Sequence, residues 1–300
     1  ALPPEILTPP GLAGMIAEYH NGRSQREIPA YGVAAALASM SALAGGKYVL
    51  EMPTTPSSPN LFVMALGGSG SGKEGIRSIV KDVLKAAGKS AAETSAASDV
   101  GLLKKLSARK DAIWLIDEFG RYLKFAANPS GGHQYALISQ VMKLYGLALS
   151  STEEKIYADT KNCFPAIERP YLSVLATATS TSVTNAMSSE EVVGGTLNRF
   201  IVISNGDALP PYRDGKHSEM NKEMKAAINR FSESAFPLNI APEEYPNSPL
   251  PFRVEQHIPI IPTDDAVKAL IAYRGEADAK RAEAGGAEAP LWARSYENAL

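Results

Sequence analysis

Residues 67–74 read Gly-Gly-Ser-Gly-Ser-Gly-Lys-Glu, between an apolar run at 61–66 and a helix-like segment at 76–87. A glycine-rich linker has no reason to stand between a buried strand and a helix, or to end in Gly-Lys. Gly67, Gly68, Gly70 and Gly72 permit positive φ and a close approach of successive backbone N–H groups, with Ser69 and Ser71 between them. The following helix adds its positive end, so the loop is expected to form an anion cradle before any side chain acts. Lys73 then reaches the β- and γ-phosphates of a bound nucleotide.

One position departs from the phosphate-loop pattern. After the lysine, GxxxxGK[ST] carries a hydroxyl that ligates Mg²⁺, whereas this chain has Glu74. Two readings are open. The carboxylate is a metal ligand, or it only favours the helix N-terminus, where negative charge suits the dipole. Nucleotide binding survives the change more securely than fast hydrolysis.

With 300 residues and 45% hydrophobic content, the chain is long enough for one large domain, or a domain and a small lid. A formal net charge of −2 confines any nucleic-acid surface to a local patch. The single cysteine, Cys163, excludes a disulfide framework and zinc spacing, and an intracellular, cytoplasmic protein is expected. No apolar run approaches the ~18 residues of a membrane span. The first residues are Ala-Leu-Pro-Pro and Leu300 falls within a helical pattern, so the chain reads as a fragment of a longer polypeptide.

Residues 1–29 are Pro-rich and read as a linker with a short helix around 12–20; 30–207 read as the core. Within it, helices are expected at 31–43, 100–108 (capped at Ser98-Asp99) and 133–149, and strands at 47–52, 112–116, 171–176 and 200–203. Residues 154–167 read as a hairpin turning at 159–162. The alternation predicts an α/β fold with a mostly parallel sheet flanked by helices. Residues 208–300 are Pro-rich, then helical at 264–284 (capped by Thr263) and 291–300, and read as a lid or C-terminal subdomain.

Ile113-Trp114-Leu115-Ile116-Asp117-Glu118 delivers two carboxylates to a strand's C-terminal end, where open α/β sheets bind ligands, roughly 45 residues after the loop. In a P-loop ATPase the first holds Mg²⁺ through water and the second orients, or takes a proton from, the attacking water. Asp117 and Glu118 fit in that order. Ala176-Thr177-Ala178-Thr179 ends a strand, and either threonine is placed to hydrogen-bond the γ-phosphate or its attacking water. Arg199, after Gly194-Gly195, is either a finger offered to a neighbour's phosphate or a local surface arginine. The four histidines are scattered and suggest no metal cluster.

This order of motifs, ending in Gly-Gly-Thr-Leu-Asn-Arg-Phe, resembles AAA+-type P-loop ATPases, closest to the helicase-like domains of phage and mobile-element primase-helicase replication proteins. The likeness covers 31–203. It implies a C-terminal helical lid, ATP and Mg²⁺ as ligands, Lys73 as the loop lysine, and Asp117 and Glu118 as metal and catalytic carboxylates. It also implies Thr179 as sensor, Arg199 as trans-acting finger and Arg294 as the lid arginine sensing the γ-phosphate. Homo-oligomeric rings, hexamers on this likeness, with single-stranded DNA in the pore and a primase partner would follow, in a bacterial host or phage-infected cell. Lys155 and Lys161 of the expected hairpin would meet phosphates, and Tyr157 a base. The expected function is an ATP-driven nucleic-acid motor; the alternative is a non-motor AAA+-like switch or loader that hydrolyses slowly or not at all.

Overall fold

The computed structural model describes residues 3–52, 55–126, 132–156, 163, 165–186, 195–206, 209–213, 218–233 and 257–284. Its helices and strands run α1 (Pro4–Leu7), α2 (Gly11–Arg23), α3 (Pro29–Ala44), β1 (Tyr48–Leu50), β2 (Phe62–Leu66), α4 (Glu74–Ala86), β3 (Glu93–Thr94), α5 (Asp99–Ala108) and β4 (Asp111–Ile116). There follow α6 (Gly120–Ala126), α7 (Gly132–Tyr145), β5 (Tyr171–Ala178), α8 (Ser180–Ala186), β6 (Phe200–Ser204), α9 (Lys222–Glu233), β7 (Ile258–Ile260) and α10 (Asp264–Glu283).

Five strands form one parallel sheet in the order β3-β4-β5-β2-β6. Successive residues of a strand face opposite sides. Val63, Ala65, Ile113, Leu175 and Ile203 therefore pack into one core with α2, α3, α4 and α9. Phe62, Met64, Trp114, Ile116, Leu172 and Val174 pack into the other with α5, α6, α7 and α8. Both faces are covered, which is why these strands read as continuous apolar runs without alternation.

The path of the chain fixes where a ligand can sit. β2 leads into α4 on one face, whereas its neighbour β5 leads into α8 on the other. Their loops part in opposite directions, the arrangement at which open α/β sheets bind ligands beyond the carboxyl ends of their strands.

The core elements lie close to their expected bounds, and the caps at Ser98 and Thr263 form, accepting from the amides of Gly101 and Ala266. The ends of the chain differ more. In the segment read as a linker the helix expected around 12–20 forms as α2, preceded by α1, and α2 buries Ile16 and Ala17 against α3. In the Pro-rich tail, α9 buries Met224 and Ile228 in that same core, and β7 pairs in parallel with β1. The expected hairpin is met only at its base, where Ser151 and Glu168 bridge antiparallel; its turn lies outside the described residues, as does the helix expected at 291–300. The helix expected to reach 149 ends at Tyr145, and 146–150 continue as turns.

His20 of α2 is 1% exposed, and burial pushes its pKa down to about 4, partly offset by the Asn21 side-chain oxygen. Because the folded imidazole resists protonation, the unfolded chain binds more protons between its ordinary value and about 4. Stability should therefore fall as pH drops through that window, by on the order of 3 kcal/mol from this group. Urea melts at pH 7 and pH 4.5 check it: His20→Gln should narrow the difference between the two midpoints.

Candidate functional site

The loop between β2 and α4 is shaped by two opposing demands. Gly67 must pass close to α3: a Cβ there would stand 1.8 Å from the Tyr31 hydroxyl oxygen. That hydroxyl donates to the Leu66 carbonyl at 3.0 Å and lies 3.1 Å from Ser71 Oγ, so α3 holds the loop from beneath. Gly70 and Gly72 do the opposite. They take φ of 73° and 84°, in the left-handed region, and open space lies around the Cβ positions they lack.

Among the described residues the amides of Ser69, Gly70, Gly72 and Lys73 make no backbone hydrogen bond. The buried Lys73 folds back, its Nζ donating to the Gly68 carbonyl at 3.2 Å. Free N–H groups, an ammonium within the loop and a 13-residue helix behind it are the donor set of a phosphate cradle. Glu74 opens α4 with its side chain 55% exposed, 3.8 Å from Lys73 Nζ.

β4 and β5 bring the remaining groups to the same rim. Gly67 N donates to Ala178 O and Phe119 N to Thr177 O, so pairing extends just past the strand ends on both sides of β5. Asp117 thereby faces Thr177, which is fully buried and donates to Asp117 Oδ1 at 2.8 Å. Glu118 N donates to the same oxygen at 3.0 Å, and Arg77 Nη2 of α4 donates to Oδ2 at 2.7 Å. Partial burial works to raise the Asp117 pKa, but the Thr177 hydrogen bond, the Arg77 charge, the Glu118 amide and Lys73 outweigh it and hold it below the usual carboxylate value. Asp117 is an ionised acceptor at neutral pH.

Glu118 adopts φ of 50°, costly for a residue with a side chain, and the turn throws its carboxylate out of the sheet. That side chain is 72% exposed and 3.6 Å from Arg121 Nη1. The Glu118 carboxylate is thus held at a conformational cost at the carboxyl end of β4.

The two threonines separate by role. Thr177 points at Asp117, whereas Thr179 caps α8, its Oγ1 accepting from Ser182 N at 3.2 Å. Arg199, in a short 3₁₀ turn at Leu197–Arg199, donates to the Gly195 carbonyl of its own chain; Gly194 lies outside the described residues. Lys155 is ion-paired with Asp99 at the start of α5, 3.0 Å away. Tyr157, Lys161 and Arg294 lie outside the described residues.

Sequence reasoning missed Tyr31 and Arg77. Arg77 carried a signal, since it stands four residues after Lys73 and so on the same helix face.

Compared with protein-family models, with curated proteins and with solved structures, the chain matches none. Among the described residues no three His, Cys, Asp or Glu side chains cluster to hold a metal, and no helix is long and apolar enough to cross a membrane. The carboxylates nearest these strand ends that could ligate a metal are Asp117 and Glu74, and Mg²⁺ is commonly held by one or two carboxylates.

Proposed function

We propose that this chain binds ATP on the 67–74 loop and hydrolyses it, as the motor of a nucleic-acid helicase or translocase resembling AAA+-type ATPases. One observation carries the ATPase reading: the ends of three neighbouring parallel strands bring the Lys73 loop, Thr177 and the Asp117-Glu118 pair to one rim of the sheet.

The chemistry follows from those groups. Loop amides and Lys73 hold the triphosphate and favour charge growing on the leaving β-phosphate oxygen. Glu118 orients a water for in-line attack on the γ-phosphorus and takes its proton as the bond to the β-phosphate oxygen breaks. Thr177 and the Glu118 amide fix the Asp117 carboxylate. Asp117 and Glu74 would hold Mg²⁺, which when bound would supply positive charge against the triphosphate.

The motor is supported by the order of motifs, by the resemblance it carries, and by Arg199 following a glycine pair, which suits a finger acting across a ring interface. Single-stranded DNA and a primase are the partners that this reading names.

A second reading, a nucleotide switch with slow turnover, is favoured by one contact and one residue. Arg77 sits on the metal-holding carboxylate, and Glu74 replaces the hydroxyl. ATP turnover measured with and without single-stranded DNA distinguishes the two. A motor should be stimulated several-fold; slow turnover indifferent to DNA would discard it in favour of the switch.

A further inference from the structure

Asp117 has no uncommitted oxygen. Oδ1 accepts from Thr177 Oγ1 and Glu118 N, and Oδ2 accepts from Arg77 Nη2 at 2.7 Å. The Thr177 and Glu118 contacts come from the sheet rim and are fixed with it. Arg77 reaches Asp117 from a different element, α4. Its grip is incomplete. Only Nη2 bonds to the carboxylate, and its buried Nε finds no hydrogen-bond partner among the described residues. An arginine that pairs through one nitrogen and leaves another donor buried and unsatisfied is held less well than a two-nitrogen fork.

From this arrangement we infer that Arg77 is a built-in competitor for the divalent cation at Asp117. The guanidinium occupies Oδ2 until nucleotide and metal arrive together and displace it. The inference rests on the ATP-binding reading of the loop. With Asp117 and Glu74 as the two carboxylate ligands, the Arg77 contact on Asp117 controls how much Mg²⁺ the site needs. The residue is placed to set a metal threshold while taking no part in the reaction itself.

The test uses the full chain and a fluorescent ATP analogue, titrating Mg²⁺ at fixed nucleotide and reading nucleotide binding, not turnover. Wild type, Arg77→Ala, Arg77→Lys and Lys73→Ala are compared, with thermal melts to show that each is folded. Removing the competitor should lower the Mg²⁺ concentration at half-saturation by ~10-fold, equivalent to about 1.4 kcal/mol. Arg77→Lys, which keeps the charge on a shorter side chain, should fall between, and it carries the test if the alanine variant does not fold. Analogue bound by wild type, with the same Mg²⁺ midpoint in the Arg77 variants, overturns the competitor and leaves the ATP site standing. No analogue bound by folded wild type at any Mg²⁺ concentration overturns both. Binding that weakens in Arg77→Ala with an unchanged or higher midpoint also overturns the competitor, making Arg77 a phosphate contact.

Discussion

Lys73→Ala is expected to weaken ATP binding by about 100-fold or more, with little loss of fold. The side chain is nearly buried in the loop, and its Nζ is bonded only weakly to the Gly68 carbonyl, at 3.2 Å, so phosphate oxygens are the better partners awaiting it. A hydrogen bond to a charged group contributes ~1.5–3 kcal/mol, and the lysine reaches two phosphates, which sets the scale of the loss. Loop shape should persist, because Tyr31 and the glycine turns determine it. Isothermal titration with ATP and Mg²⁺ checks the change. A folded Lys73→Ala protein that binds ATP like wild type would remove the loop from the nucleotide site.

The parts of the site written into the sequence are those built by local physics. A strand, a run of glycines and a helix are neighbours in the chain, so 61–87 announces its shape without tertiary help. Asp117-Glu118 was legible for the same reason, as carboxylates placed directly after an apolar strand. The two threonines were not separable. Period-two alternation puts Thr177 and Thr179 on the same face, and only the end of the sheet decides between them. Pairing to β4 ends with Phe119 N on Thr177 O, so Thr177 keeps its strand geometry and meets Asp117. Thr179 lies past Ala178 and becomes a helix cap.

The helices expected around 12–20 and at 31–43 both form, and what the sequence hid is their packing against each other. Gly32 lets α3 approach the Ala17 carbonyl of α2, where a Cβ would come within 2.8 Å. The small alanines of α3 suit the same close approach. β7 was illegible for a different reason. A three-residue strand that pairs with β1 about 200 residues away leaves no local signature. Spacing puts Arg77 on the Lys73 face of its helix, but only the folded position of β4 gives it a partner.

Glu118→Gln should bind ATP as wild type does and lose hydrolysis by ~10²–10⁴-fold. The amide keeps the shape but cannot accept the proton of an attacking water. Binding should be spared because the side chain is exposed and its contact within the chain is a loose one, to Arg121. The backbone at φ of 50° should be unaltered, since Gln meets the same conformational cost as Glu, and Glu118 N still donates to Asp117. The expected signature is therefore a normal dissociation constant with almost no phosphate release. Arg199→Ala should share that signature if the arginine acts on a neighbour's phosphate. Mixing the two variants then recovers part of the activity, as some interfaces pair an intact arginine with an intact Glu118. Normal turnover in Glu118→Gln would send the search for the base to another residue, and no recovery in mixtures shown to exchange subunits would place Arg199 in cis.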